Sequence, residues 1–166
     1  DTDADTDADT DADTDADPIG YDFARFIGEP GSGDGQLDAN RGLELSGEYL
    51  YVADNGNGRI QVFDREGTYT HQWGSIGSDT GQFSDLKEVA IGPKGRVWAP
   101  DFGNDRIQVF EPDGTLVLIL GESGSGEGQF TTPYSVAFDG AGTLYVSDYG
   151  NDRIQVFDED GAFLRA

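Results

Sequence analysis

The sequence predicts an all-β fold made of about three copies of one four-stranded antiparallel unit. Three observations predict it. The first is an eight-residue motif that recurs as Asp54-Asn-Gly-Asn-Gly-Arg-Ile-Gln61, Asp101-Phe-Gly-Asn-Asp-Arg-Ile-Gln108 and Asp148-Tyr-Gly-Asn-Asp-Arg-Ile-Gln155, spaced by 47 residues both times. A fixed period of this size marks stacked copies of one supersecondary unit. The second is that each copy alternates short runs of Val, Ile, Leu and aromatic residues with Gly, Pro and Asp turns, the signature of hairpins. The third is that no stretch has helical periodicity.

The elements follow in the same order in every copy. A strand ends on glycine at Tyr21 to Gly28, Thr68 to Gly74 and Thr115 to Gly121. A Gly/Ser/acid loop then closes on Gly35-Gln36, Gly81-Gln82 and Gly128-Gln129. A second strand covers Leu43 to Leu45, Val89 to Ile91 and Val136 to Phe138, and a tight turn such as Gly92-Pro-Lys-Gly95 leads on. The third strand is Tyr49 to Ala53, Arg96 to Ala99 and Leu144 to Ser147. After the motif, the fourth is Arg59 to Phe63, Arg106 to Phe110 and Arg153 to Phe157, and an acid-rich turn closes each copy on Gly67, Gly114 or Gly161. The repeats therefore run over about 21–67, 68–114 and 115–161, within a folded region spanning 18–166. Four short strands at this period describe a β-propeller blade.

Composition narrows the function classes. The chain has 33 acidic and 10 basic residues, a net charge of −23. Residues 1–17 alternate Asp with Thr or Ala and hold nine of the acids, so this low-complexity acidic stretch reads as a disordered, self-repelling linker. It lacks the Gly at position six and the Glu at position twelve of a calcium loop. The remaining 24 acids still leave a net of −14. That surface opposes nucleic acid, whose binding needs Lys and Arg against phosphates. High acid with only two lysines, Lys87 and Lys94, suggests a halophilic protein working in concentrated salt. Cysteine is absent, which excludes disulfides and thiolate metal sites. No apolar run reaches the roughly 20 residues of a membrane span. The sequence contains no Met, so residue 1 is not expected to be a native start unless processing removed what preceded it. An extracellular or cell-surface setting is favoured by a narrow margin.

The segment Leu144-Tyr-Val-Ser-Asp-Tyr-Gly-Asn-Asp-Arg-Ile-Gln-Val-Phe157 closely resembles the NHL repeat, whose pattern runs Gly-x-x-Tyr-Val-x-Asp-x-x-Asn-x-Arg-Ile-Gln-Val-Phe. The resemblance covers residues 21–166. The second copy departs from it at Trp98 and Pro100, and the first is one residue shorter between Gln36 and Asp54. It implies six-bladed rings, so three blades are expected to be a fragment, completed by further blades of the same chain or by a second copy. It also implies a module that supplies recognition beside other domains.

Asp54, Asp101 and Asp148 end one strand; Arg59, Arg106 and Arg153 begin the next. Each pair can meet as a cross-strand ion pair. Gly56, Gly103 and Gly150 are expected to supply a positive φ, and Asn57, Asn104 and Asn151 to bond loop backbone. A catalytic constellation is needed once, so three identical copies point to structure. Ile60, Val62, Phe63 and their equivalents are assigned to contacts between blades.

Function is expected where the copies differ. Two loop sets of a propeller converge on one face. One brings Arg41, Lys87 and Tyr134 to equivalent positions, and the other brings Asn55, Phe102 and Tyr149. Aromatic and cationic side chains make efficient binding anchors, so these six form a candidate binding rim for a protein partner or ligand. The alternative is a cation-dependent, lactonase-like hydrolase or lyase with a site completed by missing blades. No catalytic residue and no metal ligand is assigned. The lone His71 cannot supply a histidine metal set, and Asp101-Phe-Gly103 lacks the rest of a kinase signature. No cofactor is expected, with calcium as the one weak alternative.

Overall fold

The computed structural model describes residues 25–166. The acidic repeat at residues 1–17 and the start of the Tyr21 to Gly28 strand lie outside the described residues. Arg25 to Gly28 belong to no strand.

The described chain forms three four-stranded antiparallel sheets, each a simple meander. The first holds β3 (Leu43–Ser46), β4 (Tyr49–Asp54), β5 (Arg59–Asp64) and β6 (Tyr69–Trp73), in that order across the sheet. The second holds β7 (Ala90–Ile91), β8 (Val97–Asp101), β9 (Arg106–Phe110) and β10 (Leu116–Leu120). The third holds β11 (Pro133–Phe138), β12 (Leu144–Asp148), β13 (Arg153–Phe157) and β14 (Phe163–Arg165). These are propeller blades.

Sheet and sequence repeat are out of phase by one strand. The strand that opens a sequence repeat is the outermost strand of the preceding blade, as β6 and β10 show. The last segment pairs through β14 with β13 and completes the third sheet. The loop after each outer strand also makes a small parallel contact. β1 (Glu29–Pro30) pairs with β2 (Gln36–Leu37), and the later copies reduce it to the bridges Ile76 to Phe83 and Ser123 to Phe130.

All three outer strand pairs change register at the same place, leaving Thr70, Val117 and Leu164 as the extra residues. Such bulges increase local twist, which a propeller blade needs. A fourth irregularity lies on an innermost strand. Pro133 pairs with Asp148 and Ser135 with Ser147, so Tyr134 is the extra residue.

The core lies between blades. Tyr51, Ile60 and Val62 of the first blade pack on Phe83, Leu86, Val89 and Phe110 of the second. Trp98, Ile107 and Val109 of the second pack on Phe130, Val136, Leu144 and Phe157 of the third. Along Arg-Ile-Gln-Val-Phe, Ile and Val therefore face the following blade while Phe faces the preceding one. The expected role of Ile60 and Val62 holds, and the two-residue period of a strand explains how one strand serves two interfaces. Some apolar side chains at the two ends of the stack are uncovered. Leu43 and Leu45 are exposed on the first blade, and Ile154 is 50% exposed on the third. Among the described residues, no helix is long and apolar enough to cross a membrane.

Candidate binding rim

The repeated motif holds the loops that carry the rim. Each Asp pairs directly across the hairpin with its Arg, at 2.7 Å for Asp54 and Arg59, 2.9 Å for Asp101 and Arg106, and 2.7 Å for Asp148 and Arg153. The three carboxylates are fully buried. One oxygen accepts from the backbone N–H of Asp38, Ser84 or Thr131 in the incoming loop. The other accepts from the Arg Nε and from Gln61, Gln108 or Gln155. The Asn amides donate both to the Asp and to Gly31, Gly77 or Gly124 carbonyls. The guanidinium tips reach further loop carbonyls, including those of Gln36, Gln82 and Gln129. One buried charge pair thus stitches the loop entering the blade to the blade's own central hairpin.

Two local expectations need correction. Gly56, Gly103 and Gly150 do not have positive φ. They are glycine because the incoming loop lies against them: a Cβ on Gly103 would stand 2.4 Å from the Ser84 carbonyl oxygen, and on Gly56 2.5 Å from the Asp38 carboxyl carbon. Their N–H groups donate to the Asp38, Ser84 and Thr131 carbonyls. The positive φ falls two residues later, on Gly58, Asp105 and Asp152. The motif loop also winds into a single 3-10 turn in each copy, at Asn55–Asn57, Phe102–Asn104 and Tyr149–Asn151.

Burial pushes the Asp101 carboxyl above the ordinary carboxylate range, and hydrogen bonds from Asn104, Ser84 and Arg106 offset this only in part. Burial acts the same way on Asp148. There the bonds from Thr131, Asn151, Arg153 and Gln155 outweigh it and hold the group below the ordinary range. Asp101 belongs to the central blade, with a blade packed on either side, and Asp148 to an end blade. Both carboxylates are fully buried, and the extra blade around Asp101 deepens its desolvation beyond what its hydrogen bonds offset.

On this frame, four of the six rim positions come together. The Lys87 ammonium sits 4.3 Å from the Phe102 ring centroid and 5.8 Å from that of Tyr134. Phe102, Tyr134 and Tyr149 form a triangle, with centroids 6.1 Å, 6.3 Å and 6.1 Å apart. Tyr134 is 46% and Tyr149 64% exposed. The bulge at Tyr134 places its side chain among these rings, and the 3-10 turns place the other two. Arg41 joins through an acid that sequence reasoning missed: Asp85 bonds Lys87 at 2.6 Å and faces Arg41 at 3.6 Å. Asp85 is a non-glycine residue with φ of 67°, a feature the sequence does not display. The ion contacts and ring triangle form one series across all three blades. Asn55 stands half-buried at the position equivalent to Phe102 and Tyr149, and its Oδ1 accepts no hydrogen bond. Among the described residues, no three His, Asp or Glu are grouped as metal ligands.

No protein-family model matches the chain. Over 65 residues, 39% of its length, it is 38% identical to RING finger protein nhl-1 of Caenorhabditis elegans, and the match spans 7% of that protein. The fold is similar to virginiamycin B lyase from Staphylococcus aureus, with a TM-score of 0.59 at 14% identity, covering 75% of this chain and 40% of that one. It is also similar to a protein of unknown function from Bacteroides caccae, with a TM-score of 0.56 at 19% identity, covering 76% and 44%. The repeats are of the NHL type, and the blades are those of a propeller. The chain spans less than half the length of these proteins.

Proposed function

We propose that these NHL-type blades form a non-catalytic recognition module whose rim engages a protein partner. One observation carries the reading. Four positions at which three nearly identical copies differ, Lys87, Phe102, Tyr134 and Tyr149, pack into a single aromatic cluster whose two tyrosines are exposed. The repeated Asp, Asn, Arg and Gln are consumed in holding loops, so they are not free for chemistry. Rigid aromatic side chains on a fixed frame lose little entropy on binding and serve as anchors. That the curated match occupies a small part of a much longer protein supports a modular role. The fold likeness to a lyase concerns the fold alone, so the hydrolase or lyase alternative has no residue-level support.

The test is selection of the full chain against a displayed peptide library, in parallel with a Tyr134→Ala, Tyr149→Ala double variant. Peptides enriched by the native chain and lost with the variant, at unchanged thermal midpoint, are the expected result. Identical enrichment by both proteins would end the proposal.

A further inference from the structure

Resting on the rim as a binding site, we infer that its partner presents a lysine or arginine side chain, and that the faces of Tyr134 and Tyr149 receive that cation. Three features of the rim support this choice. The rings already hold an ammonium, since Lys87 lies over Phe102 within the distance at which a ring quadrupole attracts a cation. The outer parts of Tyr134 and Tyr149 remain exposed and offer the same surface to a second cation. An acid also lies beside the rings, since Tyr149 shares a shallow cleft with Asp152.

The cations beside these two tyrosines do not fill this role. Lys87 is only 9% exposed and tied to Asp85. Arg153, in the same cleft as Tyr149, spends its guanidinium on Asp148 and on the Ser125, Gly126 and Gln129 carbonyls. The whole chain carries −23, which draws a basic segment toward it and repels an acidic one. The occupant is therefore a basic protein segment, engaged through cation to ring contacts and finished by Asp152.

Three synthetic peptides of equal length test this, differing only in whether Lys, Gln or Glu alternates with Gly and Ser. Binding to the full chain is followed by fluorescence anisotropy at low and high salt. The Lys peptide is expected to bind, with the Gln and Glu peptides at least about tenfold weaker. Tyr134→Ala with Tyr149→Ala should weaken the Lys peptide about tenfold, and Tyr→Phe at both positions should restore it, because the ring face is kept. Asp152→Asn should weaken it by a smaller factor. If the Gln peptide binds as tightly as the Lys peptide and is lost in the alanine variant, the cation inference falls while the rim survives. If the Lys peptide binds native and alanine proteins equally, or no peptide binds, both fall.

Discussion

At the scale of single residues, the decisive object is the buried Asp of each motif. Asp101 accepts from Ser84 N–H, Asn104, Arg106 and Gln108, so its removal orphans four donors at once. Breaking a buried pair in this way costs about 3–5 kcal/mol, and chemical denaturation of Asp101→Ala should show a loss of that size. Gly103→Ala should also destabilise, by about 1–3 kcal/mol, because the added methyl meets Ser84 backbone and cannot be relieved by a rotamer change. The two shifted aspartates give a pH prediction with opposite signs. Asp148 is depressed, so its contribution is present above the ordinary value of ~3.9 and is lost as pH falls through its folded-state value. Asp101 is raised, so it contributes most at low pH and loses that contribution as pH rises. Asp148→Asn should flatten the fall in thermal midpoint on acidification, and Asp101→Asn should steepen it. Equal slopes in both variants would refute the assignment.

At the scale of elements, the same residue does different work depending on its blade. Ile107 is fully buried between the second and third blades, whereas Ile154, its equivalent, is half exposed on the third. Ile107→Ala should cost about 2–5 kcal/mol by cavity formation, and Ile154→Ala well under half of that. The strands were legible in the sequence because alternation of Ile, Val and Phe with polar residues reports a two-residue period directly. The 3-10 turns and the bulges at Thr70, Val117, Leu164 and Tyr134 were not. Each depends on how one strand registers against another. The ion pairs were legible because both partners lie on one hairpin. The reason for Gly56, Gly103 and Gly150 was misread, since the atoms they avoid belong to a distant loop.

At the scale of the whole molecule, charge dominates. With 33 acids against 10 basic residues, self-repulsion opposes the compact state, and screening relieves it. We propose that the chain is adapted to salt: its thermal midpoint should rise as NaCl goes from low to molar concentration, and a flat or falling response would count against that adaptation. The rim belongs to this scale too. Its six positions could be nominated by aligning the repeats. Their gathering on one face follows from the two loop sets, but the contacts between them could not be read that way, because Lys87, Phe102, Tyr134 and Tyr149 come from different blades and Asp85, which ties in Arg41, differs from its counterparts Ala39 and Thr132.

The sequence by itself determined the repeat, the strand order and the Asp to Arg wiring, since these are set by residues a few positions apart on one hairpin. Only the tertiary structure decided the close approach at the motif glycines and the contacts through which three rings and an ammonium meet. Those features arise where separate blades pack, and packing between distant segments leaves no periodic trace in the chain.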